Sequence, residues 1–185
     1  MRAFTEAIQC KSFFYWIKAR LKLFYFLKFN SIKIVYSMKT KIPPPIIALI
    51  CIAINYLSTY LINPIKFPNI EIIGSLVLLF GLITAILAII LFKKTKTTIN
   101  PMTPEETTTL VTTGIFSRTR NPMYLGLFFV ISSTILFFGS WFGIIILMFF
   151  VWYINKFQII PEEEAIEKLF GDEYSEYKKN VRRWI

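Results

Sequence analysis

Of 185 residues, 55% are hydrophobic, 17% aromatic and 17% charged, and the mean hydropathy is +0.57; this is too apolar for a soluble domain of such a size and places the chain in a membrane. The formal charge of +10 is uneven, with nine Lys/Arg against Glu6 in residues 1 to 41 and twelve against ten acids in the remainder, so the basicity suits an anionic lipid surface better than a nucleic acid. There is no histidine, and Cys10 and Cys51 lie in different segments without ligand spacing, which leaves metal binding and Ser-His or Cys-His catalysis unsupported.

Residues 1 to 37 are aromatic, as in Phe13-Phe14-Tyr15-Trp16-Ile17, but Lys18, Arg20, Lys22 and Lys28 interrupt the apolar runs too often for a spanning helix. Lys11, Lys18 and Lys22 share a helical stripe, which fits a helix lying in the headgroup layer. No clean apolar run ends in a small-residue cleavage site, so a signal peptide is not expected. Beyond Pro43 the pattern predicts an all-α membrane protein of four spans: Ile46 to Ile62, Ile70 to Phe92, Tyr124 to Phe138 and Trp141 to Ile160, against the ~20 residues a bilayer core requires. Asn63 to Asn69 reads as a turn. Gly139-Ser140 is so short a joint that spans three and four must form a helical hairpin, with Gly139 and Gly143 serving tight packing. Lys39 and Lys41, then Lys93, Lys94, Lys96, Arg118 and Arg120, then Lys178, Lys179, Arg182 and Arg183 share one side, whereas the opposite turns offer only Lys66. The positive-inside rule makes the shared side cytoplasmic, with both termini on it.

Two polar constellations fall on that side. In the first, Asn121 is a good N-cap and Pro122 a good first helical residue, so a helix is expected from Pro122, its open N–H groups facing Arg118 and Arg120 and suited to an anionic ligand group. Arg residues flanking a membrane helix are equally expected from topology alone. The second runs from Pro161, which can begin a helix, through Glu162, Glu163 and Glu164 to Gly171, which can end it. A solvated amphipathic helix explains it adequately, with Ile166, Leu169 and Phe170 on the apolar face and Glu164 to Lys168 as an i,i+4 pair.

Arg120-Asn121-Pro122-Met123-Tyr124, preceded by Gly114 and followed by Gly126, resembles the signature of the isoprenylcysteine carboxyl methyltransferase and phospholipid methyltransferase superfamily of integral membrane enzymes. Thr97 to Pro101, Leu110 to Gly114, the glutamate pair Glu162-Glu163 followed by Phe170-Gly171, Tyr174 and Tyr177, and Val181 to Trp184 resemble family segments in the same order. Met38-Lys39-Thr40-Lys41-Ile42-Pro43-Pro44-Pro45 is similar to the beginning of small bacterial members, so the likeness covers residues 38 to 185, and residues 1 to 37 are either an interfacial helix or a non-native extension.

The resemblance implies a methyltransferase of a bacterial inner membrane that takes S-adenosylmethionine as cofactor and a lipophilic acceptor, either a carboxylate of the prenylcysteine type or a lipid amine. By match, Leu110, Gly114, Phe116, Asn121, Pro122, Tyr124, Glu162 and Glu163 hold the cofactor, and Arg120, Asn121 and Tyr124 are the candidates for catalysis. Phe116 stands where an aromatic, commonly Tyr, is usual, and Asn121 stands where better-known eukaryotic members have His; Asn can hydrogen-bond but cannot titrate as a base near neutral pH. Trp184 reads as an interfacial anchor. Two rivals stay open on the sequence: a sterol-reductase-like membrane enzyme using NADPH, and a non-enzymatic scaffold whose charges only set topology.

Overall fold

A computed structural model of the chain describes residues 42–65, 67–95 and 109–185. The expected interfacial helix of residues 1 to 37, Met38, Lys39, Lys41, Lys66 and the Thr97 to Pro101 segment lie outside these residues. All regular elements among the described residues are helices, joined by turns and loops, with no strand among them. Helix α1 is Pro44–Ser58, α2 is Ile70–Lys94, α3 is Pro122–Phe138, α4 is Phe142–Ile154 and α5 is Ile160–Asn180. A 3-10 turn, Gly114–Ser117, precedes α3, and a π turn, Asn155–Ile159, joins α4 to α5 without a break. Among the described residues two helices are long and apolar enough to cross a bilayer, Ile70–Lys94 and the continuous Phe142–Asn180; Pro44–Ser58 and Pro122–Phe138 are apolar but shorter.

Small residues set how closely α2 and α3 approach. A Cβ on Gly81 would lie 2.9 Å from the Gly126 carbonyl oxygen, and one on Gly126 would lie 2.8 Å from both Ala85 Cβ and the Gly81 carbonyl oxygen. The helices thus touch backbone to backbone along Gly81, Ala85 and Gly126, the close packing that drives helix association where lipid removes the hydrophobic incentive. Most large side chains of α2, such as Leu76, Leu79, Ile83 and Ile90, face outward. For a chain in water this would be an untenable surface, and it is the expected one for lipid contact.

Helices α1, α3 and α4 are joined by polar contacts instead. Asn55 Nδ2 donates to Thr134 Oγ1 at 3.1 Å, and the Ser58 and Ser140 hydroxyls share a hydrogen bond of 2.7 Å. Each such bond contributes roughly 0.6–2 kcal/mol inside a membrane. Gly143 allows this: a Cβ there would sit 2.5 Å from Asn55 Oδ1. The expected hairpin is present, with Gly139 taking φ +63° to end α3, a conformation that costs glycine little. The Gly139 carbonyl accepts the Ile65 N–H at 2.9 Å, so the joint of α3 and α4 lies beside the turn that links α1 to α2.

One expectation is corrected. The sequence reads Pro161 as a residue that can begin a helix after span four, but the chain runs from α4 through the π turn straight into α5. The wider turn accommodates a proline that lacks an N–H and would clash with the carbonyl four residues earlier. Gly171, the expected stop, has φ 51° and ψ −119° and divides α5 at a kink rather than ending it.

Candidate active site

The start of α1, the end of α2, the loop before α3, the start of α3 and the start of α5 converge on a cavity of about 450 Å³. Its apolar part is formed by Pro43, Pro44 and Pro45, by Ala85, Ile89 and Phe92 of α2, and by Val111, Met123 and Leu127. Its polar part is formed by Arg120, Asn121, Tyr124, Glu162, Glu163, Tyr174 and Tyr177. Gln158, fully buried in the π turn, donates from Nε2 to the Ile42 carbonyl at 2.8 Å and so ties the proline run to the site.

The loop leading into α3 is shaped before it reaches the charged residues. Gly114 has φ +61° and opens the 3-10 turn. Phe116 is buried against Ala88 and Val111 and meets Phe92 edge-on, ring centres 5.0 Å apart. The Tyr177 hydroxyl donates to the Phe116 carbonyl at 2.6 Å, fastening the far half of α5 to this turn. Asn121 occupies the N-cap position as expected, yet its side chain makes no cap hydrogen bond; Nδ2 donates to the Arg183 carbonyl at 3.0 Å. The C-terminal segment lies across the start of α3, and its carbonyls orient the Asn121 amide and the preceding loop. Arg120 N–H bonds to the Arg182 carbonyl at 3.0 Å and Thr119 Oγ1 to the Arg183 carbonyl at 3.3 Å. Trp184, expected as an interfacial anchor, donates from Nε1 to Asn155 Oδ1 at 3.1 Å and packs near Phe128.

The two glutamates have different surroundings. Glu163 is buried and bridges two guanidiniums: Arg120 Nη2 at 3.1 Å, Arg183 Nη2 at 2.6 Å and Arg183 Nε at 3.2 Å. The hydrogen bond to Glu163 holds Arg183 above its ordinary pKa. Glu162 accepts the Tyr124 hydroxyl at 2.5 Å. Burial pushes its carboxyl up to about 8; the Tyr124 bond pulls the other way and the charge of Glu163 adds to the rise. Burial likewise raises Tyr174 and Tyr177, while the Arg120 charge opposes the rise in both. Arg120 Nε is buried and has no partner among the described residues, a donor left facing no protein acceptor.

Of the sequence-predicted residues, Leu110, Phe116, Arg120, Asn121, Pro122, Tyr124, Glu162 and Glu163 all line this one cavity. Gly114 does not; it packs on Leu91, behind the wall. Arg118 is exposed. Absent from the expected site were Tyr174 and Tyr177, which line the cavity, and Arg183, which anchors Glu163. The spacing of the two tyrosines, one helical turn apart, was the available signal for the first two. Arg183 left none, since a terminal Arg-Arg pair is explained by topology.

The described residues thus make an apolar helical protein whose cavity joins an apolar wall to a charged end. The sequence profile of the phospholipid methyltransferase family matches residues 70–173, and the chain belongs to that family, within the superfamily that includes the isoprenylcysteine methyltransferases. It is 46% identical over 66 residues to an uncharacterized protein of Haemophilus influenzae, covering 34% of this chain and all of that one. It is 32% identical over 72 residues to protein-S-isoprenylcysteine O-methyltransferase of Schizosaccharomyces pombe and 36% identical over 72 residues to that of Saccharomyces cerevisiae. Each of these matches covers 39% of this chain and 30% of the yeast enzyme. No solved structure matches the chain.

Proposed function

We propose that the chain is an S-adenosylmethionine-dependent methyltransferase acting on a lipophilic acceptor at the cytoplasmic face of the membrane, with its four apolar helices as four spans. The observation that carries this reading is the convergence of two stretches about forty residues apart, around Asn121 and around Glu162, on one cavity. Family membership supports methyl transfer over the reductase and scaffold alternatives.

The residues present suit the cofactor. A cavity of about 450 Å³ lies in the ~300–1,000 Å³ range of small-molecule sites. Its polar end supplies a buried unpartnered donor at Arg120 Nε for an anionic group, and an acceptor at Glu162 for a cationic or hydroxyl group. Leu110, Phe116 and Pro122 offer apolar contact for a nucleoside. When bound, the sulfonium supplies an already activated methyl group, so the protein needs no covalent intermediate of its own.

What remains for the protein is alignment and the exclusion of water. Glu163 and Arg183 fix the Arg120 guanidinium, and Asn121 is fixed by the Arg183 carbonyl. The Tyr124, Tyr174 and Tyr177 rings surround the polar end, where an aromatic face favours positive charge. A carboxylate acceptor would be oriented by Arg120 and needs no base. A lipid amine must lose a proton, which Asn121 cannot take and Glu162 can.

Calorimetry on the detergent-solubilised protein tests the reading. Arg120→Ala and Glu163→Ala are each expected to weaken S-adenosylmethionine binding at least tenfold, and NADPH is expected not to bind. Wild-type affinity in both variants, or binding of NADPH alone, would count against the assignment.

A further inference from the structure

The segment that leaves α5 is extended, with φ −123° and ψ 130° at Val181, and lies as a strap along the loop before α3. Its last helical bond joins the Val181 N–H to the Tyr177 carbonyl at 3.0 Å; beyond it, the strap's carbonyls serve the site. The Arg182 carbonyl takes the Arg120 N–H, and the Arg183 carbonyl takes both the Thr119 hydroxyl and Asn121 Nδ2. Thr119 is buried and passes the restraint on, because its hydroxyl oxygen also accepts the Asn121 N–H at 3.2 Å. A carbonyl accepts only a donor, so the strap decides which way round the Asn121 amide lies. Nδ2 is turned to the strap, and Oδ1 remains for an occupant of the cavity that Asn121 lines.

The strap has a peg on each flank. On one side Val181 is buried against Tyr174 and Tyr177. On the other, the Trp184 indole donates from Nε1 to Asn155 Oδ1 at 3.1 Å, and Asn155 is the first residue of the π turn. Only Arg182 and Arg183 lie between, so both carbonyls that restrain the site are spanned by these two pegs. The Arg183 side chain adds a hold through Glu163, but it is 36% exposed and screened by water. An indole serving only as an interfacial anchor needs no particular protein acceptor for its N–H; this one has an acceptor, on the same turn whose Gln158 grips the Ile42 carbonyl.

We propose that Trp184 is a positioning residue for the polar end of the cavity: through Asn155 it pins the strap, and the strap's carbonyls hold Arg120 and Asn121 in the arrangement an occupant meets. Neither Trp184 nor Asn155 lines the cavity, so the action passes through the strap. The identity of the occupant rests on the methyltransferase reading, whereas the pinning does not.

Two measurements on the full chain in detergent separate pinning from binding. Hydrogen exchange without ligand reads the Arg120 amide, whose bond ends on the strap, with the amides of α2 as reference; calorimetry reads S-adenosylmethionine affinity. Trp184→Phe keeps a ring for Phe128 and the interface and removes the N–H, Asn155→Ala removes the acceptor, and Asn155→Asp keeps one. Trp184→Phe and Asn155→Ala are each expected to speed exchange at Arg120 with α2 unchanged and to weaken S-adenosylmethionine binding about five- to tenfold, the scale of one hydrogen bond. The double variant should lose no more than either single one, and Asn155→Asp should bind as the wild type does. Unchanged exchange at Arg120 in both Trp184→Phe and Asn155→Ala overturns the pinning, and faster exchange with unchanged affinity overturns the positioning role. Exchange that rises throughout α2, together with a lowered unfolding temperature, makes the contact merely structural and overturns the proposal too. Should Trp184→Phe not fold, Asn155→Ala against Asn155→Asp decides. A folded wild-type protein that binds no S-adenosylmethionine sinks the methyltransferase reading, and the exchange measurement then decides the pinning by itself.

Discussion

Glu163 is the residue on which the charged end of the cavity depends, because one carboxylate satisfies two guanidiniums from distant parts of the chain, the loop before α3 and the C-terminal segment. Its side chain and that of Arg120 are each 10% exposed, whereas that of Arg183 is 36% exposed. The consequences of removal are therefore unequal. Glu163→Ala leaves two positive charges facing each other in a buried site and is expected to cost about 3–5 kcal/mol. Arg183→Ala leaves Glu163 paired with Arg120 and removes a contact that water already screens, at about 1 kcal/mol or less. Thermal unfolding of the two variants in the same detergent checks this, and equal losses would mean that Glu163 is solvated. The glutamate pair was legible in the sequence as a family motif, but its division of labour was not. Nothing in the order of residues says that Glu163 meets two arginines and Glu162 a tyrosine, because their partners come from α3 and from the C-terminus.

At the level of elements, α5 positions the site through two irregularities. The π turn at Asn155–Ile159 carries the chain past Pro161 so that Glu162 and Glu163 reach the cavity, and the kink at Gly171 redirects the second half of α5 so that Tyr174 lines the wall and Tyr177 reaches the Phe116 carbonyl. Pro161 and Gly171 were both recognised as punctuation in the sequence. Their outcome was not, because a proline that could start a helix can also be absorbed by a wider turn when the helix is held by its neighbours. Gly171→Ala tests the kink. A Cβ there would meet nothing within 4 Å, so any cost comes from the backbone conformation alone, about 1–3 kcal/mol. The variant should unfold at lower temperature and also bind cofactor more weakly, since straightening α5 withdraws Tyr174 and Tyr177. A loss of stability with unchanged binding would show that the tyrosines keep their places without the kink.

Across the whole described domain, the ends of the helices sort into two levels. The start of α1, the end of α2, the start of α3 and the end of α4 all lead to the cavity. The end of α1, the start of α2 and the joint of α3 with α4 meet away from it, through Ser58 with Ser140, Ile65 with Gly139, and Gly74 against Phe137. Each of α1 to α4 therefore runs from one level to the other. Apolar content and the short hairpin joint made the helices legible in the sequence; the Gly81, Ala85 and Gly126 seam, which a small-residue count along α2 could have suggested, was passed over for Gly139 and Gly143. Length alone does not make α1 a span, because 15 residues rise only about 22 Å against a core of about 30 Å. Shared levels support the proposed span, since a helix that connects the same two levels as the 25-residue α2 would cross the same thickness with its flanks. Charge supports the proposed direction: Lys93, Lys94, Arg120 and Arg183 lie toward the cavity end, the side that the positive-inside rule expects in the cytoplasm. With Cys10 and Cys51 replaced by Ala, Asn63→Cys should react with a membrane-impermeant maleimide on intact cells, and Glu173→Cys only after permeabilisation, both positions being exposed. Reaction of both from the same side would reduce α1 to a helix packed on the bilayer surface and would place the cavity away from the cytoplasmic pool of soluble cofactor.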